Sequence, residues 1–205
     1  MDTLEKLFRE ATSFHKTACL LAGKFTGLTD LDPEKHQRFP MLFRDGDGSL
    51  VRSVARNENM ETNSVQDSDL FFTPLVVNAA FSLELHLKHL SLLIEKKEVR
   101  GHDLHRIFLG LSEWTRENLE GLFQHISSTQ PMIQREFEAI NAELSIKRTW
   151  SLEMVLKDSA KAFETWRYSH EKNVQLSSFA GYGEAICAMR IIATQFKGKP
   201  EERAT

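Results

Sequence analysis

The sequence predicts an all-α fold, a helical bundle in a single domain, on three observations. Apolar residues recur at three- and four-residue spacing over most of the chain, helix-capping residues or prolines open several of these stretches, and strand-like alternation is confined to one short region. With 205 residues the chain can bury one core but is too short for two independent enzymatic domains. Lysine and arginine total 26 against 29 acidic residues, a formal charge of -3, so net charge announces no polyanion-binding surface, although it leaves room for a local basic groove. Cys19 and Cys187 sit far apart in separate apolar patterns, which predicts buried free thiols in a reducing compartment. The opening MDTLEKLFRE is charged and has no long apolar run, so neither a signal peptide nor a membrane anchor is expected there. A cytoplasmic location without membrane association is the resulting expectation.

The elements follow in order. Leu4, Leu7, Phe8, Ala11, Phe14, Ala18 and Leu21 predict one amphipathic helix over about 3–23, closing at Gly23. From Thr26 to Asp69 the pattern breaks up around Pro33, Pro40, the run Asp45-Gly46-Asp47-Gly48 and the polar stretch Asn57 to Asp69, which read as turns and loop. Met41 to Phe43 and Ser49 to Val54 flank the DGDG run as a short hairpin. A helix then runs from Thr73, its N-cap, and Pro74, its first position, to about Lys97. Further helices are expected from Asp103 to Leu111, from the cap Ser112 to Ser127, from Pro131 to Ile146, from Ser151 to Glu171, and from Ser178 to Phe196 with Gly181 and Gly183 near its start. The implied organisation is an N-terminal helix and a loop or hairpin insertion over 1–66, the bundle over 67–198, and a disordered tail over 199–205.

The charges on these helices carry the first hint of chemistry. At about 100° per residue, Glu84 and Lys88 stand about 40° apart on the arc of Val77, Ala80, Phe81 and Leu85, which should face the core. His86 and His89 fall opposite, with Asn78, Ser82, Lys96 and Lys97, on what reads as the solvent stripe. On a continuous helix over 151–171, Arg167 and Glu171 join the stripe of Leu152, Leu156, Ala160 and Phe163. Four charges on core-facing arcs are tolerated only if paired, so Glu84, Lys88, Arg167 and Glu171 are expected to meet in a partly buried network. The plainer alternative is two surface pairs at four-residue spacing, each contributing a few tenths of a kcal/mol.

Three of these segments also carry a family likeness: Ala80-Phe-Ser-Leu-Glu-Leu-His-Leu-Lys88, Gly101-His-Asp-Leu104 and Phe163-Glu-Thr-Trp-Arg-Tyr-Ser-His-Glu171. Together they resemble the HEPN superfamily of helical bundles over about 70–196, outside the first helix and the insertion. The resemblance implies a HEPN-like bundle, a homodimer, and a role in binding RNA or a nucleotide. Its ribonuclease members, which belong to toxin and defence systems and work without metal, place a His after an Arg with four to six residues between them. Here Arg167 and His170 have only two residues between them. If the chemistry holds, Arg167 would steady the phosphate and His170 or His102 would act as general base on the 2'-hydroxyl, with no cofactor. Asp103 and Glu171 complete the ligand-binding set with Glu84 and Lys88, although Asp103 also reads as a helix cap and His170 as a helix-end histidine.

Other patterns carry less. Arg9 to His15 and Arg100 to His105 have ribonuclease-like spacing but lie outside the matching segment. His86-x-x-His89 with His102-x-x-His105 lacks a carboxylate or cysteine at a recognisable metal spacing, so no metal is expected. Trp114, Trp150 and Trp166 read as packing rather than base-stacking platforms. No glycine-rich phosphate loop or zinc-finger spacing is present. Two readings stand: an RNA- or nucleotide-binding protein of a bacterial defence or toxin module with a cognate partner protein, with ribonuclease activity as its catalytic form; or a non-catalytic interaction or scaffold module.

Overall fold

The computed structural model describes residues 2–26, 41–44, 50–53, 65–129, 137–138, 141–142, 147, 149–160 and 181–197. Among them the architecture is helical: α1 (Thr3–Thr26), α2 (Val65–Ile94), α3 (Leu104–Leu109), α4 (Glu113–Ser128), α5 (Leu152–Asp158) and α6 (Tyr182–Lys197). Between α1 and α2 stand two short strands, β1 (Met41–Arg44) and β2 (Leu50–Ser53), paired antiparallel with Met41 opposite Ser53 and Arg44 opposite Leu50. Most of the expected helix from Pro131 to Ile146, the expected helix segment 161–171 and the tail 199–205 lie outside the described residues.

Helix α2 is the axis of the fold. Helices α1, α3 and α6 all pack against it, α6 also packs on α4, and α5 packs on α3 and α4. Leu75, Val76, Ala79, Leu83, Leu87 and Leu90 of α2 are buried and meet Ile107 and Phe108 of α3, Leu119 and Phe123 of α4, Leu156 of α5, and Ile186 and Met189 of α6 in one core. A helix enclosed on several sides needs apolar or satisfied residues around most of its circumference. From Leu75 to Ser91 only Val77, Asn78, Phe81 and Lys88 escape full burial.

Four of the boundaries differ from the spacing-based expectation. Helix α1 passes through Gly23 and ends at Thr26, because an interior glycine costs only about 1 kcal/mol and does not stop a docked helix. Helix α2 begins at Val65, so Pro74 lies inside it and not at its first position. Its ring removes the amide that would bond the Leu70 carbonyl, a local cost that the long buried face downstream outweighs. The polar run Gln66-Asp67-Ser68-Asp69, expected to be loop, suits an N-terminal turn equally well, since acidic residues favour the positive end of a helix. Helix α2 closes at Ile94, three residues early, where Lys96 enters the left-handed region at φ 55. The Lys97 amide donates to the Ser91 carbonyl at 3.2 Å, and the Ser91 hydroxyl donates back to the Lys97 carbonyl at 2.9 Å.

The fourth difference is the largest. The stretch from Ser151 begins a helix as the capping residue predicts, with the Met154 amide donating to Ser151 Oγ at 3.1 Å, but α5 stops at Asp158 and the chain turns at Ser159 and Ala160. The turn is fixed by the Ala160 carbonyl, which accepts the Leu104 amide from the start of α3 at 3.1 Å. A helical wheel drawn continuously over 151–171 therefore has no structural basis.

Two helix starts are secured by carboxylates from elsewhere. Glu95 accepts from the Ser112 amide at 3.1 Å, from Ser112 Oγ at 2.7 Å and from Thr115 Oγ1 at 2.7 Å, so it serves the N-terminus of α4. Glu120 accepts from the Leu152 amide at 2.9 Å and from Gln124 Nε2 at 2.8 Å, serving α5. Burial alone would raise the Glu95 pKa, but the bonds from Thr115 and Ser112, helped by the Lys97 charge, hold its carboxyl below its ordinary 4.5. A depressed carboxyl contributes stability that is present above its unfolded value and lost as pH falls through the folded one. Glu95→Gln is therefore expected to separate from the parent in urea midpoint at pH 7, and the gap should narrow at pH 3.5. A gap independent of pH would sink this account.

Candidate functional site

The site begins with one buried carboxylate. Glu84, in the middle of α2, is 1% exposed. Lys88, one turn further on, brings Nζ to 2.7 Å from Glu84 Oε1, and its side chain keeps 17% of its exposure. The second partner arrives from the connection between α2 and α3. Gly101 reverses the chain at φ +97, a region an L side chain rarely adopts, and delivers His102 over the carboxylate. His102 Nδ1 stands 3.1 Å from both Glu84 oxygens while its side chain is 48% exposed.

This geometry fixes the imidazole. A carboxylate only accepts, so Nδ1 is the protonated nitrogen, and the neutral ring then has Nε2 as its basic atom. A histidine so oriented can take a proton from a substrate hydroxyl or donate one to a leaving group, and Lys88 supplies a cation one turn away on the same carboxylate. Around His102 in sequence stand the exposed Lys96, Lys97, Arg100 and Arg106 with Glu98 and Asp103 among them, so 96–106 carries a net charge of +2 in a chain of net charge -3.

The other predicted residues divide. Asp103 caps α3, its Oδ1 accepting the Arg106 amide at 2.9 Å. Arg167, His170 and Glu171 lie outside the described residues, so the described part of the expected four-charge network is the Glu84–Lys88 pair, with His102 joined to it. His105 leaves this site altogether and bridges to Glu153 of α5 at 3.2 Å. Beside that bridge, Thr149, Ser151, Glu153, Met154, Lys157 and Asp158 line an open cavity of about 400 Å³ that does not reach Glu84 or His102.

One expectation is overturned outright. His86 and His89, with Ser82, are not on a solvent stripe: they are 1%, 0% and 0% exposed. Helix α1 covers that side of α2. Ser82 Oγ donates to the Ala11 carbonyl at 2.8 Å, Phe14 meets Phe81 edge-on at 4.5 Å, and the Phe8 ring lies 5.9 Å from His86 and 5.1 Å from His89. A wheel ranks faces by hydropathy and cannot see a second helix that buries polar residues. The missed signal lay on α1, where His15 sits between Ala11 and Ala18 on the buried stripe and is itself 1% exposed. His86, His89, His102 and His105 thus serve three places: the α1–α2 interface, Glu84 and Glu153. Cys19 and Cys187 are free and buried. Burial pushes the Cys19 thiol up to about 11, against the opposing charge of Arg190, which leaves it unreactive near neutral pH.

No helix among the described residues is long and apolar enough to cross a membrane. Compared with family models, curated proteins and solved structures, the chain finds no match.

Proposed function

We propose that this chain is a HEPN-like helical bundle with a hairpin insertion, working as a homodimer that binds RNA or a nucleotide through the Glu84–Lys88–His102 site. The observation that carries the reading is a carboxylate 1% exposed that holds one cation and one solvent-facing imidazole. Burying a carboxylate is costly unless its partners are in place, and a scaffold has no need to aim a histidine outward from it. The basic strip 96–106 supplies positive charge suited to a phosphate backbone. In metal-free RNA cleavage His102 Nε2 would remove the 2'-hydroxyl proton, with Arg167 steadying the phosphate and His170 as the alternative base.

A second reading, a non-catalytic interaction module, draws on the two-residue gap between Arg167 and His170, which is shorter than ribonuclease relatives use. One experiment separates them. A mixed RNA pool is incubated with the purified chain in EDTA, comparing the parent with His102→Ala, Arg167→Ala and His170→Ala. Cleavage by the parent that falls at least about tenfold in His102→Ala supports the proposed site. Retention of RNA without cleavage leaves binding alone, and neither retention nor cleavage ends the RNA reading.

A further inference from the structure

Trp114 and Trp150, both expected from the sequence to be packing residues, part ways in the structure. Trp150 is 8% exposed and packs against Phe123 and Phe137, with ring centres 5.5 and 5.0 Å away. Trp114, in the first turn of α4, is 47% exposed, and the expectation fails there. Among the described residues it meets one ring, that of Phe196 near the end of α6, edge-on at 5.6 Å. An edge-to-face contact steadies the indole and occupies at most one of its faces. The other large apolar side chains exposed among the described residues are Leu20 and Leu109, so Trp114 is the aromatic one.

The place of Trp114 relative to Glu84 follows from α2. At about 100° per residue, Lys88 and Glu95 stand about 40° and about 20° from Glu84, so the three share one side of the helix. Helical bonding reaches Glu95, whose amide donates to the Ser91 carbonyl at 3.0 Å. At about 1.5 Å per residue, Glu95 lies about 16 Å along the axis from Glu84. His102 sits over Glu84. Ser112 Oγ and Thr115 Oγ1 both donate to Glu95 Oε1 at 2.7 Å, so the residues flanking Trp114 are tied to that same side of α2.

Charge joins the two places. The chain from Glu95 to His102 carries the exposed Lys96, Lys97 and Arg100, with Glu98 among them. Glu113 and Glu117 stand exposed on α4 beside Trp114 in sequence, so a negatively charged backbone reaching the indole is favoured along the lysines and not along α4.

We propose that Trp114 is a stacking platform for one unpaired base of single-stranded RNA, whose phosphates run along Lys96, Lys97 and Arg100 toward His102. This rests on the RNA reading of the Glu84–Lys88–His102 site. An indole face takes any base, because every base has a π-face, and cationic side chains along the backbone add affinity without reading sequence. Duplex RNA keeps its bases stacked on one another and has none to offer, so the arrangement fits single strands.

The test is fluorescence anisotropy of a labelled oligouridine of about twelve nucleotides, within the usual site size, titrated in EDTA with the full chain. Probe integrity is checked on a gel, and if the parent cleaves the probe the series is repeated in a His102→Ala background. Trp114→Ala should weaken binding about tenfold or more, and Trp114→Phe, which keeps a ring, by less than about threefold. The probe should also quench the tryptophan emission of the parent, and most of that quenching should be lost in Trp114→Phe. Unchanged affinity in Trp114→Ala overturns the platform and leaves the RNA reading standing, as does equal affinity for the oligouridine and its duplex with oligoadenosine. Failure of the parent to bind either this probe or a mixed RNA pool ends the RNA reading and the platform with it. Should Trp114→Ala not fold, the duplex comparison and the emission of Trp114→Phe still decide.

Discussion

Glu84→Ala is expected to lower the unfolding free energy by about 2 to 4 kcal/mol, among the larger losses a surface-reaching network can give. The carboxylate is buried at 1% exposure, and its removal strands Lys88, whose side chain keeps 17%. His102, at 48%, can turn to water, so its share of the loss is small. Urea unfolding of the parent, Glu84→Ala, Lys88→Met and the double variant measures the pair directly. The double variant should be less destabilised than the sum of the singles, because the charge left unpaired by one change is absent after the other. A Glu84→Ala protein within about 0.5 kcal/mol of the parent, the range of ordinary surface changes, would mean the network contributes nothing to the fold.

Gly181→Ala should cost roughly 3 kcal/mol, from two causes that can be separated. The residue before α6 sits at φ +85, and the left-handed backbone costs an L side chain about 1 to 2 kcal/mol. A Cβ there would also stand 2.8 Å from Val155 Cγ2 and 3.1 Å from the Trp150 ring, and overpacking of this kind adds about 1 to 3 kcal/mol. Gly101 is the control: its φ is +97, yet nothing lies within 4 Å of an added Cβ. Gly101→Ala should therefore show the backbone cost alone. Equal melting shifts for the two variants would show that α6 can back away from α5 and Trp150 without penalty.

The sequence made legible what depends on local chemistry. Ser112, Asp103 and Ser151 each cap the helix their side chains predict, because a cap is decided within four residues. The core-facing position of Glu84 was readable from its neighbours at helical spacing, and Lys88 followed from the four-residue interval. What was illegible depends on a second element. The burial of His86 and His89 is set by α1, more than sixty residues earlier in the chain, and the end of α5 is set by a carbonyl bond to α3. His102 was readable as a candidate; its contact with Glu84 needed the reversal at Gly101 and the left-handed turn at Lys96 that follows α2.

The borrowed caps bear on how the chain acquires its helix boundaries. Glu95 serves a helix that begins at Glu113, and Glu120 serves one that begins at Leu152, so each start is written in a preceding element. A peptide of 149–160 alone would lack Glu120 and, at seven helical residues, would be too short to hold its turn in water. Helix α5 therefore holds its start only with α4 in place to present its carboxylate. Lengthening the segment between Ser128 and Thr149 should therefore cost α5 little, since loop closure depends weakly on length, whereas removing one carboxylate unfastens a helix many residues away.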